Sequence, residues 1–460
     1  MAGPLYLRGA SGYSGVARGF NPRFDAIMPS AVARCASAPD VAAALRFAGQ
    51  YSVPFTVRSG GHALAGWSTG TGLVIDVSSQ SSVVIDASSA TATVGTGTRL
   101  IDLYQKVSAA GFAIPGGTCP SVGIAGLTLG GGIGALTRAW GLTCDQLRGA
   151  TVVFADGSTK AVDDAHWPGL FWALKGGGGG SFGVATSFTF ALRPTPALQN
   201  YSLGYPFSAA ADVLAGWQAW APYADPRLSS DLVFRATRTN GSLTVGVSGR
   251  WTGPPELLGA QIDALVASIG TAPTSRRVAN TTFLQAALDD AGCAAYGSCH
   301  LPPQGTVTRQ PSSGASTMAY QPLSSQGIQT VIAQVRAGLS VPKAQWTGLT
   351  IVALGGAVRD VSITTSAFAH REALFMMHYL ARWSPSTPTL NPAPYDGYVR
   401  GFRAAMAPYL GSGAYVNYQD SAISDFGNAY WPGTYAQLRS VKSKVDPGNA
   451  FRFPQSVVPA

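Results

Sequence analysis

The sequence predicts an α+β fold. Two observations carry this. Apolar spacing switches repeatedly between helical period and strand alternation, and the strands so marked are short. Near Pro194–Pro196 the pattern then changes, from mixed strands and helices to an antiparallel pair flanked by helices.

Taken in order, Val41, Ala44, Leu45, Phe47 and Ala48 sit at helical spacing and predict a helix over Asp40–Tyr51. Val53–Val57 and Gly72–Val77 read as strands, and Val83–Asp86 with Ala90–Val94 as a hairpin. Leu100–Ala110 is helical, Ala150–Val162 holds two strands around an Ala-Asp-Gly turn, and Phe182–Leu192 is a further strand. Beyond the change, Ala209–Ala221 and Glu256–Ser268 read as helices, with a strand pair Leu232–Ala236 and Leu243–Trp251 between them. Leu349–Leu354 is a strand running into Gly355–Gly356. Ala367–Trp383 mixes apolar spacing with two His and reads as strand and helix. Thr387–Pro394 is a loop, and Asp396–Leu410 and Tyr435–Val445 are helices.

Composition removes several function classes. The chain has 460 residues and a formal charge of +9, yet only 12% are charged, against roughly 25% in an average soluble protein. Arg residues are scattered singly and no run of like charges occurs, so no nucleic-acid partner is expected. The longest apolar stretch, Val122–Leu136, is short and dense with Gly, so no membrane span is expected. The start MAGPLYLRGASG shows no charged then apolar leader, which predicts either a cytoplasmic protein or a leader already removed. The five Cys form no CxxC and the five His show no ligand spacing, so no metal is expected. Cys293 and Cys299 lie close in a Gly/Ala/Ser-rich loop and read as a local disulfide, which implies export, or else as two unrelated thiols.

Generic motifs are set aside. Gly66-Trp67-Ser68-Thr69-Gly70 fits the nucleophile-elbow pattern, but a strand follows where that turn needs a helix. Gly178-x-Gly180-x-x-Gly183 precedes a strand, and Gly130-x-Gly132-x-x-Ala135 lacks a surrounding βαβ unit, so neither marks a Rossmann site. Three denser clusters remain: Arg58-Ser59-Gly60-Gly61-His62, the run Gly116–Gly134, and Lys175–Thr186. Each ends a strand or apolar segment. Gly lets backbone N–H groups approach a ligand, so together they point to a large ligand threaded between loops.

In combination these motifs resemble the berberine-bridge-enzyme-like branch of the vanillyl-alcohol-oxidase flavoproteins. Arg58–His62 matches that family's flavin-attachment loop, and Gly117-Thr118-Cys119-Pro120-Ser121-Val122-Gly123 its second attachment loop. Trp140–Asp145, Tyr415-Val416-Asn417-Tyr418 and Asp446-Pro447-Gly448-Asn449-x-Phe451-Arg452-Phe453 match later segments. The resemblance covers nearly the whole chain. It implies a split FAD-binding domain built from residues 1–197 and 411–460, around a substrate domain of residues 198–410 with an antiparallel sheet backed by helices. His62 would carry the flavin 8α carbon and Cys119 flavin C6, a bicovalent FAD. Arg58, Ser59, Gly60, Gly61, Gly117, Thr118, Val122, Gly123, Gly126, Gly183, Val184 and Asn417 would line the cofactor. Tyr418 would take the proton of a substrate hydroxyl as hydride passes to flavin N5, helped by a nearby cation or by the flavin. Asp420 reads as a supporting or salt-bridge residue.

The resemblance implies an oxidase acting on an alcohol or sugar hemiacetal, with oxygen reduced to hydrogen peroxide, in a secreted monomer whose only partners are a small-molecule substrate and O2. The rivals are a dehydrogenase with another acceptor and a secreted flavin-containing binding protein of low turnover. Small Val122 and Gly123 lean towards the oxidase. Two departures stand out: Ser181 replaces a family Asn, and the strand Ile351–Leu354 is wholly apolar where a second polar catalytic group is expected. Tyr320 and Trp346 read as pocket or core residues.

Overall fold

The computed structural model describes residues 1–388 and 390–460. Among these, the strands form four sheets. A four-stranded sheet has the order Leu5–Leu7, Ala31–Arg34, Leu73–Asp76, Phe55–Arg58, the last three mutually parallel. The helix Ala38–Gln50 connects two of them and buries Val41, Ala44, Leu45 and Ala48 against that sheet. An antiparallel five-stranded sheet holds Val83–Asp86, Thr91–Gly95, Val184–Ala191, Leu147–Val153 and Thr159–Val162. A two-stranded pair joins Phe112–Ala113 to Arg193–Pro194.

The largest sheet has seven antiparallel strands. Its order is Ser275–Thr281, Leu198–Tyr205, Ser242–Trp251, Asp231–Thr237, Ala344–Ala353, Phe375–Trp383, Ser312–Ala319. Side chains alternate between its faces. Leu232, Phe234, Ile351, Met377 and Tyr379 pack into one core with the helices Ala210–Trp220, Leu258–Ile269, Ser325–Ala337 and Ala393–Leu410. Asp231, Val233, Arg235, Trp346, Thr350, Val352, His378 and Arg382 alternate with those buried residues and take the opposite face. That face is the wall of the site described below.

Buried Arg138 ties the helix Thr137–Trp140 to this sheet. Its guanidinium donates to the carbonyls of Leu228 (2.8 Å), Pro222 (3.0 Å), Ala224 (2.6 Å) and Leu354. Nearby, Arg371 makes a bidentate pair with Asp145, at 2.7 and 2.8 Å.

Three expectations need correction. Ala367–Trp383 contains no helix: only Phe375–Trp383 is regular, a strand whose alternate residues are buried. The helix expected from Asp396 begins at Ala393, so the preceding loop is shorter than Thr387–Pro394; Thr389, within that stretch, lies outside the described residues. The strand around Leu349 runs ten residues, Ala344–Ala353. The hairpin, the helices at Ala210–Trp220 and Leu258–Ile269, and the Cys293–Cys299 disulfide are present.

Candidate active site

The strand Phe55–Arg58 delivers the first Gly cluster. Arg58 is buried, and its Nε donates to Asp76 Oδ2 at 2.8 Å across the parallel pair. Ser59 Oγ donates to the Thr96 carbonyl at 2.7 Å. Gly60 meets the second loop backbone to backbone, since a Cβ there would lie 2.1 Å from Gly123 N. Gly61 turns the chain in the left-handed region, at φ +72°, and presents His62. The imidazole stacks on Phe20 at 3.9 Å, and its Nε2 lies 3.0 Å from Ser121 Oγ. Desolvation and the Arg99 guanidinium push its pKa down to about 3, so the ring is neutral.

The second loop is pinned to the start of the helix Leu100–Ala109. Leu100 N donates to Val122 O at 2.9 Å, Ile101 N to Pro120 O at 3.1 Å, and Ile124 N to Thr98 O at 2.9 Å. Tyr104 Oη holds the Gly117 carbonyl at 2.7 Å. Between these anchors Thr118 and Cys119 are exposed. Cys119 is accessible although protein surrounds it, as on the wall of a cleft; desolvation raises its thiol pKa while Arg382 acts to lower it. Gly126, in the helix Ile124–Leu129, leaves open space where a side chain would stand.

The C-terminal segment closes the site. Tyr415 Oη accepts from Gly132 N (3.0 Å) and Ile133 N (3.2 Å). Asn417 Nδ2 donates to the Leu127 carbonyl at 3.0 Å and to Tyr415 Oη at 2.9 Å, so Asn417 fastens this segment to the helix after the second loop. Tyr418, next along, lies flat against His378, with ring centroids 3.8 Å apart. Asp420 accepts from Arg400 Nε at 2.9 Å.

Gly183 and Val184 stand apart from this group. Val184 is buried in the core beside Val153, and a Cβ on Gly183 would lie 2.7 Å from Val152. Gly176 and Gly178 are likewise confined by Phe368 and Trp431. Close packing accounts for much of this third cluster. The same holds for Gly123, where a Cβ would meet Ser59 Oγ at 2.2 Å; loop contact by itself demands a small residue there.

Electrostatics set the protonation states. Burial raises the Tyr418 phenol far above its usual value, and Tyr415, Cys119 and Asp231 add to the effect. No cation appears among these influences, which leaves the flavin of the two sources of help expected from sequence. Asp231, on the same sheet wall, is pushed up to about 7 by burial and by Asp290. His378 is held neutral, down to about 3, by burial and by Arg382.

Comparisons with known proteins agree with this layout. An FAD binding domain family matches residues 29–163, and a "Berberine and berberine like" family matches residues 414–458. The uncharacterized FAD-linked oxidoreductase YgaK of Bacillus subtilis (strain 168) is 33% identical, over 94% of this chain and 91% of its own. Glucooligosaccharide oxidase of Sarocladium strictum is 28% identical over 96% and 89%. Among solved structures, Physcomitrella patens BBE-like 1 superposes with a TM-score of 0.89 at 26% identity, covering 99% and 97%. The chain belongs to the berberine-bridge-enzyme-like FAD-linked oxidoreductases.

The residues present fit this family's FAD. A cavity of about 620 Å³ runs along Arg58, Ser59, Gly60, Gly61, Asp76 and Arg99, within the roughly 300–1,000 Å³ range of cofactor sites. Four further charged groups line it: Arg18, Arg34, Arg309 and Asp25. Arg58 is paired with Asp76, and Arg309 with Asp25. Arg34 has a buried Nε without a partner, and Arg99 donates to the Ser121 carbonyl at 3.2 Å. These two guanidiniums suit a diphosphate.

Sequence reasoning missed His378, Asp231 and Arg382 in this FAD-linked oxidoreductase. Reading Phe375–Trp383 as an unbroken strand would have put His378 and Arg382 on one face by period two. The predicted strand Leu232–Ala236 began one residue too late to include Asp231. Among the described residues no three metal-ligating side chains cluster, and no helix is long and apolar enough to cross a membrane.

Proposed function

We propose that this FAD-linked oxidoreductase is an oxidase of alcohols or sugar hemiacetals that carries its FAD on both His62 and Cys119. The observation that carries the reading is the contact between the two attachment loops, through His62 Nε2 and Ser121 Oγ at 3.0 Å and through Gly60 against Gly123. It supports two tethers on one ring system. His62 is neutral and has Nε2 engaged, which leaves Nδ1 as the nucleophile for the flavin methyl carbon. In this reading residues 1–197 and 411–460 hold FAD, residues 198–410 cover the substrate, and Gly117, Thr118, Val122 and Gly126 approach the cofactor through backbone.

Bound FAD supplies the acceptor for the hydride of the carbinol carbon, and oxygen takes the two electrons to give hydrogen peroxide. The chain itself manages the proton. Tyr418 Oη receives the hydroxyl proton, which makes the C–H bond a hydride donor. The neighbouring His378 ring fixes the plane of Tyr418 without adding charge. Tyr418 reacts as phenolate, and its raised pKa makes that phenolate a strong base. The neutral sugar chemistry named for the Sarocladium relative supports a saccharide substrate, and the disulfide supports an exported protein.

Two assays test this. Under air, turnover releases peroxide in proportion to product; with a non-oxygen acceptor enzyme it does not. Without oxygen, an oxidisable sugar bleaches the flavin, and Tyr418→Phe slows that bleaching while keeping the flavin bound. Ligand binding with no bleaching would instead make the chain a binding protein.

A further inference from the structure

Arg235, Trp346 and Arg382 form a group on the cleft face of the large sheet. Arg235 and Arg382, from the strands on either side of the Trp346 strand, have guanidinium carbons 4.7 and 5.0 Å from the indole ring centre. Their register explains the grouping. Trp346 pairs with Arg382 across neighbouring strands, and Arg235 pairs with Gly348, two residues from Trp346 and on the same face. Arg382 is four residues from His378, so both take the face on which His378 meets Tyr418. Arg382 also acts on the Cys119 thiol, which fixes it to the same cleft.

Neither guanidinium has a carboxylate within ion-pair distance among the described residues, and the Arg382 Nε is buried without a hydrogen-bond partner. Three buried arginines elsewhere contrast with this. Arg58 has Asp76, Arg371 has Asp145, and Arg138 has four carbonyls. Arg382 is desolvated, Arg235 beside it is exposed, and the two like charges oppose each other; Trp346 offsets only part of this. Contact with an indole ring does not consume the N–H edges of a guanidinium. Those edges are the fork that binds a carboxylate, sulfate or phosphate in bidentate fashion.

We propose that the substrate is an anion whose acidic group is received by Arg235 and Arg382 beside Trp346. This rests on the reading of the cleft as the substrate site of an oxidase. Four strand residues from His378 to Arg382 span about 13 Å. The acidic group therefore sits about two sugar rings, or an equivalent length, from the carbon that is oxidised.

The test is binding to the holoenzyme, read by tryptophan fluorescence, with matched probes: digalacturonate against cellobiose, and benzoate against benzamide. At low salt digalacturonate binds at least tenfold more tightly than cellobiose, the preference shrinks as salt is raised, and Arg235→Gln and Arg382→Gln each lose tenfold or more. The same preference for benzoate assigns the carboxylate alone, whereas preference confined to digalacturonate assigns a sugar acid. Equal affinity for acidic and neutral probes, or arginine variants that bind digalacturonate as the wild type does, overturns the proposal. Equal flavin content and melting temperature in both variants separate lost recognition from lost folding. Failure of the oxidase reading shows elsewhere, as absent peroxide and absent bleaching with the binding preference intact.

Discussion

The imidazole of His378 lies flat on the phenol ring of Tyr418, with centroids 3.8 Å apart and 17° between the planes. One ring comes from the central sheet, the other from the segment after the last sheet helix. The stack is therefore where the large sheet and the C-terminal segment meet. Because burial keeps His378 neutral, it positions Tyr418 by shape. His378→Phe retains the stack and leaves kcat/KM close to wild type between pH 5 and 9. His378→Ala frees the Tyr418 ring and lowers kcat/KM by about 100-fold, the scale of a 1 Å misplacement. Steady-state kinetics on both variants checks this; equal losses would give the imidazole a chemical role.

With Tyr418 as the proposed base, the pH dependence follows its phenol. A base works in its deprotonated form, and burial raises the pKa of this phenol above the usual value of about 10. The account predicts kcat/KM still rising with pH at pH 9, with Tyr418→Phe slower by about 10²–10⁴-fold. A plateau setting in near pH 7 would transfer the role of base to Asp231, whose pKa is about 7.

The C-terminal Asp-Pro-Gly-Asn motif is a structural latch. Lys442 Nζ, fully buried, donates to Asp446 Oδ2 (2.6 Å), Ser181 O (2.6 Å) and Phe451 O (2.7 Å). Asp446 also accepts from Ala450 N and Phe451 N, each at 2.9 Å. Removing one partner of a buried pair leaves the other charge uncompensated and costs about 3–5 kcal/mol. Lys442→Met is therefore predicted to lower unfolding stability of the holoprotein by that amount, measured by denaturant titration. A change below 1 kcal/mol would mean the latch is dispensable.

Much of this was legible in sequence because local pattern and tertiary environment agreed. The helix at Ala38–Gln50 and the hairpin Val83–Gly95 carry their period in every turn or pair. The first two Gly-rich loops were legible because backbone crowding at Gly60 and Gly123 admits no other residue. The strand Ser275–Thr281 was not, since it lies at the sheet edge with exposed side chains and little apolar alternation. The strand Ser312–Ala319 was hidden too, because its small residues SSGASTMA carry no periodic signal although most are buried. His378 was obscured by its buried neighbours Met376, Met377 and Tyr379, whose continuous apolar run masks alternation. Pairing partners, absent from local sequence, decide these elements.

The central claim is double attachment of the cofactor, and acid precipitation of the holoprotein tests it most directly. The account predicts yellow pellets, with a flavin adduct in the intact mass, for wild type, His62→Ala and Cys119→Ala, and a colourless pellet for the double variant. Flavin released into the supernatant from the wild type would contradict it.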